Sequence, residues 1–215
     1  MSAAATSPRT KGRAEPMAAE DRRAAIVAAT VPLLHEHGRA VTTRQIAEAA
    51  CIAEGTIFRV FPDKEALIDA AVAAVLDPGP VDAELRAIDL TLDLEVRLAR
   101  AATIIQLRLT GIFQLMTALG SAQPPKRADK NRPEMASMAA LFEPDRHRLR
   151  VEPRAAAQLL WGLTLAANHP ALVYDSPLTA VDLVSFLLDG IRSDNCDTTA
   201  SPSDSPAPHA PAPAS

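Results

Sequence analysis

The chain has 215 residues, 48% apolar and only 3% aromatic, with 22 Lys and Arg against 26 Asp and Glu. That length allows one or two domains with a sizeable core, and a composition rich in Ala and Leu favours packed helices over an aromatic-rich β-sandwich. Two distant cysteines, Cys51 and Cys196, exclude a disulfide framework and fit a reducing, cytoplasmic setting, while a net charge of −4 means that any nucleic-acid contact must come from a local element rather than the whole surface.

Met1 to Pro16 forms a basic arm with Arg9, Lys11 and Arg13, and it lacks the apolar centre of a secretory signal. Residues 194–215 are a Pro-, Ala- and Ser-rich tail that cannot bury a core. Both ends are expected to be disordered. No apolar run approaches the ~18 residues that cross a bilayer, so no membrane partner is expected. The folded part is expected as two units, 17–76 and 77–193.

The first helix is expected from about Ala18 to His37, with a stripe of Val27, Val31 and Leu34 flanked by Ile26 and Leu33. Pro32 lies inside it and should kink the helix or weaken one hydrogen bond. Gly38 suits a left-handed stop. Thr42-Thr43-Arg44-Gln45 fits a capping box opening a short helix, Thr43 to about Ala50. A tight turn leads to a second short helix near Glu54 to Phe61. Pro62-Asp63 ends that one and caps the next, Lys64 to Leu76, and Asp77-Pro78-Gly79-Pro80 marks the domain boundary.

The second unit is expected to hold a short helix near 81–88 and a long one near 91–119. The long helix carries an unbroken stripe of Leu94, Leu98, Ala101, Ile105, Leu109, Ile112, Met116 and Leu119, and further apolar groups off the stripe predict a central position. A polar link over 120–131 precedes a helix near 132–142. An Arg-rich link, Glu143 to Glu152, precedes two final helices near 153–168 and 179–192. Pro153 suits a first helical position, and Thr179 with Asp182 fits a second capping box.

The stretch Thr42 to Leu67 carries the functional signal. Two short helices joined by a tight turn and braced by a longer one make a helix-turn-helix, whose second helix can enter a major groove about 12 Å wide. Ile46, Ala47, Ile52, Ile57 and Phe61 form its small core and leave Arg44, Glu54, Thr56 and Arg59 facing outward. The stretch resembles the DNA-binding segment of the TetR family of bacterial transcriptional regulators. Thr42, Ile46, Ala47, Ala50, Gly55, Thr56, Phe61, Lys64, Glu65 and Leu67 match the family's pattern in ungapped register, with Ile52, Ile57 and Phe58 as conservative matches.

The resemblance implies an all-α homodimer with an N-terminal helix-turn-helix domain and a C-terminal helical ligand-binding and dimerisation domain. Such a protein binds a near-palindromic double-stranded operator and is released by a small-molecule effector, more often as a repressor. Carried over by position, Thr42, Thr43, Arg44, Glu54, Gly55, Thr56, Phe58, Arg59 and Lys64 are the DNA-binding set. Lys64 would grip a phosphate, Arg44 or Arg59 would bond a guanine edge, and Glu54 would either accept from cytosine or simply complement a helix dipole.

Four departures from the pattern stand out. Cys51 replaces the usual turn glycine, where a left-handed backbone would cost about 1–2 kcal/mol, although cysteine is most often a small buried hydrophobe. Ala53 replaces a capping serine, and Phe58 and Val60 replace tyrosines and lose their hydroxyls. Glu54 puts a negative charge where lysine is common.

In the second domain Arg108, Phe113, Met116, Met138, Phe142 and Trp161 are candidates for an effector pocket, each with plain core packing or surface placement as the alternative. Leu159, Gly162, Leu163 and Ala166, with Val184, Leu188 and Ile191, are candidates for a dimer seam, with packing inside the chain as the alternative. No metal site, phosphate loop or nucleophile motif is visible; His35 and His37 do not share a helix face, and no cofactor is expected. Two rival readings remain: a helical ligand-binding or scaffold dimer with weakened or lost DNA binding, and a small helical enzyme.

Overall fold

The computed structural model describes residues 19–121, 133–173 and 178–192; the basic arm, the C-terminal tail and nearly all of the 120–131 link lie outside them. Helix α1 spans Ala19–His37, with Glu20 and Asp21 placed favourably in its first turn. It runs through Pro32 without a break. Its buried row is Ile26, Thr30 and Leu34 rather than the expected valine stripe, and Val27, Val31 and Leu33 pack at its margin. Thr30 can occupy the core because its hydroxyl donates to the Ile26 carbonyl at 2.7 Å. A 3-10 turn, Gly38–Ala40, follows, with Gly38 in the expected left-handed region at φ 55°.

Helices α2 (Thr43–Ala49), α3 (Glu54–Val60) and α4 (Lys64–Leu76) complete the first domain. Ile46, Ala47, Ile57, Phe61, Leu67, Ile68 and Ala71 converge on Ile26 and Leu34 of α1. Arg23 lies over the Phe61 ring, its guanidinium carbon 4.3 Å from the centroid.

Helix α5 (Gly79–Arg86) starts two residues before its expected position because the Asp77 carboxylate accepts from the Gly79 amide at 3.0 Å. Helix α6 spans Leu94–Ala118, starting three residues later than expected. The Asp89 carboxylate accepts from both the amide and the hydroxyl of Thr91, which closes a local turn and delays the helix. Helices α8 (Pro153–Asn168) and α9 (Ala180–Ile191) pack against α6, and α7 (Pro133–Ala140) packs against α5 and α8. The Arg-rich link contains a 3-10 turn, Glu143–Arg148. The only extended pairing among the described residues is the bridge Leu149–Arg192, and none of the described helices is long and apolar enough to cross a membrane.

Helix α6 belongs to two cores. Leu94, Leu98, Ala101, Ala102, Ile105 and Leu109 pack with α5, α7, α8 and α9. Ile112, Leu115, Met116 and Leu119 pack with α1, α2 and α4. Its C-terminus rests on the Gly38 corner, where a methyl group on Gly38 would stand 2.1 Å from the Ala118 carbonyl oxygen. The Arg108 guanidinium also donates to the Leu76 carbonyl at 2.9 Å, tying α6 to the end of α4.

One buried ion pair fixes the second domain. Arg97 is only 2% exposed. Its guanidinium donates to the carbonyls of Leu90, Leu92 and Leu141 and to the Asp145 carboxylate. Burial pushes the Asp145 carboxyl up, but hydrogen bonds from Arg97 and Arg148, with their charges, outweigh it and hold the group below the usual carboxylate range.

Candidate nucleic-acid interface

The interface is built by local rules. Thr42 is extended, its hydroxyl accepts from the Gln45 amide at 3.2 Å, and the Gln45 side chain accepts from the Thr42 amide at 2.8 Å. This reciprocal box opens α2 as expected. Helix α2 ends in a Schellman turn: the Ile52 amide donates to the Ala47 carbonyl at 3.0 Å and the Cys51 amide to Glu48 at 3.2 Å. That turn needs a left-handed residue, and Cys51 supplies it at φ 55°, the only non-glycine with positive φ among the described residues. The strain expected from the sequence is present, about 1–2 kcal/mol. The expectation of a buried thiol is corrected, since Cys51 is exposed. At this corner the chain's path decides the residue's placement and its side-chain hydrophobicity does not.

Ala53 precedes α3 without a side-chain cap, and Asp63 caps α4 by accepting from the Ala66 amide at 2.7 Å. Ile57 is the inward anchor of α3. Glu54, Gly55, Phe58 and Arg59 form its exposed face, and Thr56 is half-buried at its edge.

Most charges on this surface already have partners. The Thr43 hydroxyl donates to the Glu54 carboxylate, clamping the starts of α2 and α3 together. Arg44 Nε donates to Glu48 at 3.0 Å, and that hydrogen bond and charge, with a smaller contribution from Glu54, raise the already high basicity of Arg44. Lys64 Nζ donates to the carbonyls of Arg39 and Val41 at 2.9 and 3.1 Å. Of the three cations on α2–α4, only Arg59 has neither a hydrogen bond nor an ion pair among the described residues. Glu48 was not singled out in the sequence, although its i,i+4 spacing from Arg44 signals the pair.

Gly55 has an ordinary helical backbone, and a methyl group there would meet nothing within 4 Å. Neither packing nor backbone geometry asks for glycine at this position. A glycine in a helix costs roughly 0.5–1 kcal/mol relative to alanine, and close approach by another molecule is the remaining physical use for it.

The second-domain candidates separate into different places. Met138 and Phe142 are fully buried core, and Met116 belongs to the core shared with the first domain. Phe113 and Trp161 pack half-buried against the second core, with Phe113 edge-on to His169 at 5.1 Å. Arg108 lies at the junction with α4. The described contacts divide these six among the two cores and the junction with α4. An apolar groove of about 550 Å³ instead lies between α5, α6 and α9, lined by Ile88, Val96, Ala99, Ile104 and Val181, with Glu84 and Arg100 among its polar groups.

The seam candidates divide as well. Leu159, Gly162, Leu163 and Ala166 are all exposed on one face of α8. Val184, Leu188 and Ile191 are buried in the chain's own core, which corrects their assignment to an interface. Apolar spacing marks a face for burial without saying against which chain. The outward side of α9 carries Asp182, Phe186 and Gly190. The capping box of Thr179 and Asp182 at its start forms as expected.

Residues 26–71 match the model of a family described as bacterial regulatory proteins, tetR family. No curated protein matches the chain in sequence. Among solved structures, the chain is similar to a tetR-family transcriptional regulator from Mesorhizobium loti, with TM-score 0.57 and 18% identity over 82% of this chain and 100% of that one. It is also similar to SmeT, the repressor of the Stenotrophomonas maltophilia multidrug efflux pump SmeDEF, with TM-score 0.51 and 20% identity over 86% and 97% of the two chains. A SmeT–triclosan complex matches with TM-score 0.50 and 19% identity over 88% and 100%. At these identities the likeness concerns the fold.

Proposed function

We propose that this chain, a transcriptional regulator of the TetR type, binds duplex DNA through the outer face of α3 and leaves it when a small molecule occupies its second domain. The observation that carries the reading is the exposed face of α3, where, among the described residues, nothing crowds Gly55 and no hydrogen bond or ion pair engages Arg59. A helix entering the major groove uses both: the glycine admits the duplex backbone or a base edge, and the arginine can bond guanine in bidentate fashion. Thr42, Thr43, Arg44, Thr56 and Lys64 flank this face and would contact phosphates or neighbouring bases. Arg44 and Lys64 must exchange their intrachain partners for DNA, so their net contribution is smaller than that of Arg59.

Two copies would join through the outward faces of α8 and α9, with Leu159, Gly162, Leu163, Ala166 and Phe186 forming a self-complementary patch. Small residues on that patch allow close helix approach. Two reading helices then face two half-sites of a near-palindrome. The effector part of the reading is supported by the apolar groove beside α6, whose volume falls within the usual range for small-molecule sites. Because α6 belongs to both cores, a ligand that prefers one position of α6 shifts the population of reading-head positions. We read the protein as a repressor.

The test is a selection from a random duplex pool with the full chain, followed by titration of the enriched sequence. A near-palindrome should be enriched, and binding should weaken steeply with salt. Arg59→Ala should reduce affinity roughly 5- to 150-fold, the range for losing one bidentate base contact. A pool that stays random at low salt contradicts the reading and favours a scaffold dimer that has lost DNA binding.

A further inference from the structure

Among the described residues Phe58 packs into neither core. Its side chain is 51% exposed, and the inward positions around it are filled by Ile57 and Phe61. It lies one helical turn after Glu54, on the same exposed face of α3 as Arg59. A phenyl ring has no donor or acceptor, so it cannot hold a phosphate oxygen. On base edges in the major groove, the apolar group available to it is the C5 methyl of thymine.

Resting on the reading that α3 enters the major groove, we propose that Phe58 reads a thymine methyl group in each half-site. The ring loses water when the helix docks, and a methyl group opposite it turns that loss into apolar burial. The helix that carries the ring is held in place. Ile57 anchors α3 inward, and the hydrogen bond from Thr43 to Glu54 holds the start of α3 against α2. The neighbouring residue Arg59 reads hydrogen-bonding groups, so the two side chains divide apolar from polar information. A half-site that fits this face therefore carries a 5-methylpyrimidine beside the pair contacted by Arg59.

The test uses the full chain and the duplex enriched from a random pool. Each thymine is replaced in turn by deoxyuridine, which removes the methyl group and leaves every hydrogen-bonding edge intact. At one position per half-site the wild-type chain should lose affinity about fourfold, and about fifteenfold when both half-sites are changed. Phe58→Ala should bind the thymine and deoxyuridine duplexes equally, and Phe58→Leu should retain part of the discrimination. Two results would overturn the proposal: wild-type binding indifferent to every methyl group, or a full methyl penalty retained by Phe58→Ala. In the first case, a Phe58→Ala loss that is the same on both duplexes places the ring against sugar and phosphate. A pool that yields no enriched duplex defeats the DNA-binding reading together with this one, whereas enrichment without a methyl effect defeats this one alone.

Discussion

Asp145→Ala should lower the unfolding free energy by about 3 kcal/mol at neutral pH, measured as a shift in urea midpoint at unchanged slope. The change leaves the buried Arg97 guanidinium without its carboxylate, and breaking one side of a buried pair costs about 3–5 kcal/mol. The lower end applies because Arg97 keeps its three backbone acceptors. The pH dependence has a definite sign. Asp145 titrates below its ordinary value in the folded chain, so its stabilisation is complete above the unfolded carboxylate range and is lost as pH falls through the lowered folded value. Wild type and variant should therefore converge in strong acid. A variant as stable as wild type at pH 7 would mean that Arg97 is satisfied by carbonyls and water alone.

Gly38→Ala should be the second most damaging change, and it strikes the junction of the domains. The left-handed backbone alone costs an alanine about 1–2 kcal/mol. The added methyl would stand 2.1 Å from the Ala118 carbonyl oxygen at the end of α6, so helix or corner must move. The expected result is a lower thermal midpoint together with loss of coupling, in which an effector no longer alters DNA affinity. Unchanged stability with full effector response would show that the Gly38–Ala118 contact transmits nothing.

Local chemistry was legible in the sequence. The capping boxes at Thr42 and Thr179 are fixed by residues three apart, and both form. The left-handed turn at Cys51 followed from its place after α2, but its exposure did not, because a cysteine's burial depends on where the chain goes next. Non-local choices were less legible. Val184, Leu188 and Ile191 have interface spacing and core spacing at once, and the larger apolar face of α9 turned to its own α6. The sequence marks an arginine in an apolar helix at position 108, where it ties α6 to α4. The equivalent signal at position 97 belongs to the buried pair with Asp145, whose partner lies 48 residues away. Met116 lies on the stripe of α6, yet it packs with the first domain, because one helix crosses both cores. The partners of Lys64, backbone carbonyls more than 20 residues away, were also beyond the pattern, which shows that a residue faces outward without showing what already holds it.

Everything functional depends on α3 offering its outer face to paired bases, and Gly55→Ala tests that most directly through two readings on one variant. The substitution removes a helical glycine and meets no atom within 4 Å, so the thermal midpoint should hold or rise slightly. Affinity for the enriched duplex should fall about tenfold or more, the scale of forcing one methyl group into a packed contact. An intact fold with undiminished DNA affinity would contradict the account, because the duplex would then lie somewhere other than against this helix.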